Sequence, residues 1–175
     1  MKSYAIFLRG VMPSGKNRVP MAELRTALAD AGLQEVRTYI QSGNVAAKSP
    51  LDQDAIQSLV HGTILRKIGA DIAVIARTHA QVKRVLAQNP FAEESASRTY
   101  FTLFSAKPSA PRLKEFLQID FAPDVINVAG DTLYTLYATK YSDSKFNNNF
   151  FERKLKVVAT TRNYNTLSRL LELSA

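Results

Sequence analysis

The residues best placed to do chemistry begin at Gly10. Gly10-Val11-Met12-Pro13-Ser14-Gly15-Lys16-Asn17 fits the spacing G-x-x-x-x-G-K, the first seven positions of a loop that cradles phosphate with backbone amides and a lysine. A short apolar run, Tyr4 to Leu8, precedes it and a helix-forming segment follows, which is the setting such a loop needs. Two features oppose that chemistry. Asn17 stands where a Ser or Thr hydroxyl would hold magnesium, and Pro20 delays the helix, so its free N–H groups would not surround a phosphate. What remains is a Gly-rich β–α connection, or a loop that holds some anion through Arg9, Lys16, Asn17, Arg18 and backbone amides.

Two further polar segments invite the same question. Gln41-Ser42-Gly43-Asn44 reads as a tight hairpin in which Gly43 takes positive φ. As a turn it needs no ligand; as a site, Gln41 and Asn44 supply amide donors and acceptors beside the Gly10–Arg18 loop. Thr160-Thr161-Arg162-Asn163 precedes the last helix, with Thr161 or Asn163 as a possible N-cap. Free N–H groups and the Arg162 charge there favour an anion, either a ligand or the carboxylate of Glu152. Ser144 and Lys145 carry the same ambiguity. Asn147, Asn148 and Asn149 are poor helix formers inside an expected helix, and the sequence supplies no reason for them.

Several chemistries drop out. The chain has no Cys, which excludes disulfides, iron–sulfur clusters, thiol nucleophiles and Cys-based zinc sites. His61 and His79 are the only imidazoles and lack metal-ligand spacing, so no metal and no cofactor are expected. Ser14 and Ser42 have no His placed to activate them. Enzymic chemistry would rest on Lys16, Arg162, Tyr39, Tyr164 or Glu152. The segment Arg98 to Phe104 is basic and aromatic but lacks the glycines of an RNA-recognition strand, and Tyr100 and Phe104 read as core.

The charge is localised. The 23 Lys and Arg outnumber the 15 Asp and Glu, for a net +8. Residues 1–25 hold five basic groups and one acidic, residues 140–162 hold six and two, and the remainder balances. This supports a binding module with a basic cleft made by the Gly10–Arg18 loop with Lys145, Arg162 and Asn163. Its expected partner is a phosphate-bearing metabolite, a nucleotide or a nucleic-acid backbone. The alternatives are an enzyme acting on a phosphorylated small molecule and a protein-interaction or structural domain.

These residues must be positioned by regular elements. Strands are expected at Tyr4–Leu8, Val36–Gln41, Val45–Lys48 and Ile72–Ala76, with helices from Pro20 to Gly32 and after Ser49-Pro50. That is a βαββαβ order. Strands at Arg98–Phe104, Val125–Ala129, Thr132–Tyr137 and Val157–Ala159 repeat it, with helices over Leu113–Ile119 and from Ser142-Asp143 through Leu155, and a last helix follows from Tyr164. The expected fold is α+β, two ferredoxin-like halves packed together plus a C-terminal helix. The boundaries are 1–77 for the first half, 78–97 for a connecting helix and linker, and 98–175 for the second half. Strands apolar on both sides imply that the second face of at least the first sheet is covered too. No apolar run approaches the roughly 20 residues of a membrane span, and the N-terminal run is too short for a signal peptide, so a cytoplasmic protein with no membrane partner is expected.

Three blocks carry a family likeness. Leu8-Arg9-Gly10 with Gly15-Lys16-Asn17 and Met21 to Leu24 form the first, and Thr38-Tyr39-Ile40-Gln41-Ser42-Gly43-Asn44-Val45 the second. The third gathers Ser144-Lys145, Glu152 to Leu155 and Ala159 to Thr166. The chain resembles an uncharacterised, mainly bacterial family of domains of unknown function whose members open like L-L-R-G-I-N-V-G-G-K-N. The resemblance implies a duplicated ferredoxin-like α+β fold and no established activity. Pro13-Ser14 departs from the smaller, more flexible pair usual there and stiffens the loop.

Overall fold

The computed structural model describes residues 1–175. They divide into two compact units, Met1–Ala87 with Thr166–Ala175, and Gln88–Asn165. In the first, strand β1 (Lys2–Leu8) leads to helix α1 (Met21–Asp30), and strands β2 (Gln34–Tyr39) and β3 (Asn44–Ser49) form a hairpin. Helix α2 (Gln53–Lys67) returns the chain to strand β4 (Val74–Thr78), and helix α3 (His79–Ala87) follows. The sheet is antiparallel in the order β2-β3-β1-β4. Leu24 and Leu28 of α1 and Ile56, Val60 and Ile64 of α2 pack on Tyr4, Ile6 and Leu8. Burying each such side chain contributes roughly 1.5–3 kcal/mol. On the other face of β1, Ala5 and Phe7 are also fully buried.

The second unit repeats the order. Strand β5 (Thr99–Phe104), helix α4 (Ala110–Phe116), strands β6 (Val125–Ala129) and β7 (Thr132–Leu136), helix α5 (Asn148–Leu155) and strand β8 (Ala159–Asn163) are followed by helix α6 (Tyr164–Leu173). The sheet runs β6-β7-β5-β8, with Phe104, Phe116, Leu133, Phe146, Phe151 and Leu155 in its core. The fold is therefore α+β, two ferredoxin-like halves with a C-terminal helix. From Thr166 on, α6 groups with the first unit, where the His79 ring nitrogen Nδ1 and Ser174 Oγ hydrogen-bond at 3.2 Å.

Several boundaries differ from the expected ones: β2 lies two residues before the strand expected at Val36–Gln41, β4 lies two residues after the one expected at Ile72–Ala76, and three elements of the second unit shift as well. The strand expected at Val157–Ala159 runs over Ala159–Asn163 instead, in register from Phe104↔Ala159 to Tyr100↔Asn163. Thr160 and Thr161 are β-branched, and the ladder takes them before the helix does. Helix α5 begins at Asn148 rather than at Ser142-Asp143, which sit in a 3-10 turn, because the Asn147 side chain caps it by accepting from the Phe150 N–H (3.0 Å). Helix α4 begins at Ala110 with Ser109 as its cap and Pro111 in its first turn.

An edge strand leaves alternate amides and carbonyls without a ladder partner. At β4, helix α2 takes those of Ala76: its N–H donates to Gln57 Oε1 (2.8 Å), and Gln53 Nε2 donates to its carbonyl (2.9 Å). Helix α5 does the same at β8. The Ala159 N–H donates to Glu152 Oε2 (3.0 Å), and Asn148 Nδ2 donates to the Ala159 carbonyl (2.9 Å). Both pairs stand at i, i+4, one above the other on their helix. Asn148 Oδ1 also accepts from Thr161 Oγ1 (2.9 Å). The polar run at Asn147 thus has its reason: Asn147 caps the helix and Asn148 clamps the strand. No helix is long and apolar enough to cross a membrane.

Candidate functional site

Strand β1 ends at Leu8, and the chain turns away through Arg9 and Gly10. The Leu8 N–H donates to the Gly43 carbonyl (2.8 Å) and the Arg9 N–H to the Ala73 carbonyl (3.0 Å), so loop and hairpin leave the same end of the sheet. The loop then closes on itself. Met12 N–H donates to the Asn17 carbonyl (2.9 Å) and Arg18 N–H to the Gly15 carbonyl (3.2 Å) around a 3-10 turn at Gly15–Asn17. Two loop amides are spent in this way, and α1 starts only at Met21. The arrangement is a folded connection, without a helix opening at the lysine.

The hairpin tip is built around Gly43. At its φ of +88° a Cβ would lie 2.7 Å from Leu8 Cβ and 2.9 Å from Val11 Cγ2, so only glycine fits. Asn44 is fully buried, and its Nδ2 donates to the Tyr39 carbonyl (3.1 Å) and to Ser42 Oγ (2.9 Å). Its carboxamide holds the turn together.

Between loop and hairpin lies a cleft of about 550 Å³. Met12, Pro13 and Pro20 give it an apolar wall, and Arg18, Gln41 and Ser42 give it polar groups. Arg18 is the only charged residue on the lining; it is exposed and has no acidic partner. No carboxylate, imidazole or lysine lines the cleft. Lys16 sits in the 3-10 turn with its side chain exposed, while Asn17 and Arg9 are half-buried. Six of the expected site residues therefore belong to the first unit, and two of them, Arg18 and Gln41, line the cleft.

Lys145, Arg162 and Asn163 belong to the second unit. Lys145 is exposed, with Nζ 5.2 Å from the Phe146 ring centre. Its neighbour Ser144 donates to Asp124 Oδ2 (2.8 Å) and accepts from the Phe146 N–H (3.1 Å), while Asp124 Oδ1 accepts from the Ala138 N–H (2.8 Å). Arg162 lies within β8 opposite Phe101, and Asn163 is paired with Tyr100. The Arg162 guanidinium donates to Thr160 Oγ1 (2.6 Å) and the Thr161 carbonyl (3.0 Å); burial lowers its pKa to about 10, against a raising influence from Tyr141. Glu152 accepts from the Ala159 amide. Tyr100 is half-buried and stacks on Tyr141 (ring centres 4.9 Å apart), and Tyr137 meets both rings edge-on at 5.3 Å.

Sequence reasoning passes over Arg77. Strand β4 carries it opposite Ala5 at 2% exposure, with Nη1 donating to the Ala76 carbonyl (3.0 Å). The expected strand stops at Ala76, and an apolar run gives no signal that the next residue is a buried cation. The cleft walls Met12 and Pro13 carry no pattern either. His61 Nε2 and Asp71 Oδ1 make a surface pair at 2.8 Å.

No curated protein matches the chain. Among solved structures, a conserved bacterial protein from Streptococcus pneumoniae matches with a TM-score of 0.77 at 20% identity, over 99% of each chain, a likeness of fold. The family described as "Protein of unknown function (DUF1697)" matches residues 1–134, which take in the Gly10–Pro20 loop, the Gln41–Asn44 hairpin and the cleft they border. The chain belongs to that family.

Proposed function

We propose that the chain is a binding module for a small phosphate-bearing anion, held in the cleft between the Gly10–Pro20 loop and the hairpin tip. The observation that carries this reading is Arg18, the one charged side chain on the lining and a cation without a counter-ion. Guanidinium groups recognise phosphate through paired, charge-assisted hydrogen bonds. Beside Arg18 the wall is apolar, which suits an anion that brings an apolar or planar body, as a nucleotide or phosphorylated metabolite does. Gln41 and Ser42 add neutral donors and acceptors, and Lys16 adds positive potential from the turn. A volume of about 550 Å³ suits one small molecule. A binding role fits better than catalysis because general acid–base chemistry needs a suitable titratable group within reach, and the lining holds no carboxylate, imidazole or lysine.

Calorimetric titration with inorganic phosphate, a nucleoside monophosphate and the matching uncharged nucleoside tests the reading. Binding is expected for the phosphate-bearing compounds only, and Arg18→Ala should weaken it by about ten- to a hundredfold. Lys83→Ala, an exposed change on α3, serves as the control. No binding of any phosphate compound at low salt, or binding untouched by Arg18→Ala, overturns the proposal. A short oligonucleotide run in parallel would reveal a nucleic-acid backbone contact by its steep loss of affinity with salt.

A further inference from the structure

Four strands form the edges of the two sheets, and three are closed. Edges β4 and β8 are clamped by helix side chains at Ala76 and Ala159. Edge β2 has a register shift between Gln34 and Arg37, with Glu35 at φ +49°, and carries Glu35 and Arg37. Bulges and charges of this kind keep an edge from pairing. Strand β6 has none of these devices. Val125-Ile126-Asn127-Val128-Ala129 contains no charge and no proline, runs in unbroken register against β7, and receives no side-chain hydrogen bond on its outer side.

The geometry of that edge is definite. Ala129 and Thr132 close the two-residue turn Gly130-Asp131 and exchange ladder hydrogen bonds. By alternation Asn127 and Val125 also bond to β7, so Ile126 and Val128 direct their N–H and C=O groups outward. The Ile126 and Val128 side chains pack on the core of their unit, while Asn127 and Ala129 are exposed and Val125 is 50% exposed.

We propose that β6 pairs with β6 of a second copy of this chain, antiparallel and centred on Asn127. In that register Ile126 lies opposite Val128 of the other copy, and each outward N–H meets an outward C=O. Val125 faces Ala129. Asn127 faces itself across the axis, and a carboxamide, being both donor and acceptor, complements its own copy. Gly130 comes opposite Asp124, with Lys107 beside the turn: its Cε lies 3.9 Å from a Cβ built on Gly130. Self-pairing is favoured over an unrelated peptide because the residue on the axis can pair with itself. An uncharged strand also lets a chain of net +8 approach its copy without opposing charges within the ladder.

Sedimentation velocity over a concentration series reads the association, and hydrogen exchange resolved by amide locates it. The expected result is a concentration-dependent dimer in which the Ile126 and Val128 amides exchange more slowly as dimer forms. Asn127→Lys and Asn127→Asp each put like charges across the axis and should weaken the dimer by about fivefold or more. An equimolar mixture of the two variants should restore it as a heterodimer. Thermal melts check that both variants remain folded, as an exposed position allows. A protein that stays monomeric, a dimer whose Ile126 and Val128 amides exchange unchanged, or a dimer indifferent to both Asn127 variants overturns the proposal.

Discussion

Gly43 joins the hairpin tip to the end of β1, because its carbonyl receives the Leu8 N–H where a side chain would collide with Leu8 and Val11. Gly43→Ala should therefore cost about 2–4 kcal/mol, read as a lower midpoint in urea unfolding. Gly32→Ala is the comparison: Gly32 has φ +98° but nothing within 4 Å of a built Cβ, so its cost should stay near 1 kcal/mol. The turn at Gly43 is legible in the sequence, since Ser-Gly-Asn signals it. The crowding that makes the glycine obligatory is not, because Leu8 and Val11 come from another strand and another loop. Asn44 shows the same limit. Its type fits a ligand amide or a turn equally well, and only burial shows its Nδ2 donating to Tyr39 and Ser42.

At the level of elements, the clamps on Ala76 and Ala159 set where α2 and α5 sit along their edge strands. Asn148→Ala removes the donor to the Ala159 carbonyl and the acceptor for Thr161, and should destabilise by about 1–3 kcal/mol, with faster exchange of the β8 amides. Glu152→Gln keeps an acceptor for the Ala159 N–H and should cost less than Glu152→Ala, compared by urea unfolding. Both βαββαβ orders are legible because the apolar periodicity of helices and strands survives in each. The boundary at Thr160 and Thr161 is not: their β-branched pair lies directly before a helix stripe, and local pattern cannot tell a cap from a ladder. The clamps themselves leave no mark in the pattern, since their partners are main-chain groups that every residue type shares.

For the whole molecule, the high-pH limit of stability follows from its buried phenols. Burial raises Tyr134 from 10.0 to about 12, with Asp131 adding to the rise, and Tyr137 moves upward for the same leading reason. A raised folded pKa means that stability is fully present below pH 10.0 and is lost as pH climbs towards about 12. Tyr134 alone should account for about 2–3 kcal/mol of that loss. Arg162, lowered to about 10, works in the opposite sense across the same window and is outnumbered. Urea unfolding followed from neutral to alkaline pH should show the decline, with phenolate absorbance rising as the chain unfolds and a shallower decline in Tyr134→Phe. The basic segments at residues 1–25 and 140–162 are legible by counting alone, whereas the cleft beside Arg18 is not, because its walls are ordinary apolar residues brought together by the loop's own closure. The paired clamps also bear on how a duplicated chain drifts. Aligning one half with the other would set Gln53 and Gln57 against Asn148 and Glu152 and score two mismatches. The obligation at those sites is nevertheless shared, since each pair must supply a donor to a carbonyl and an acceptor to an amide. Main-chain atoms do not mutate, so the demand they impose outlasts the letters that first met it. Ancestry between such halves is better sought in which backbone groups are answered, and from which turn of which helix, than in residues held in common.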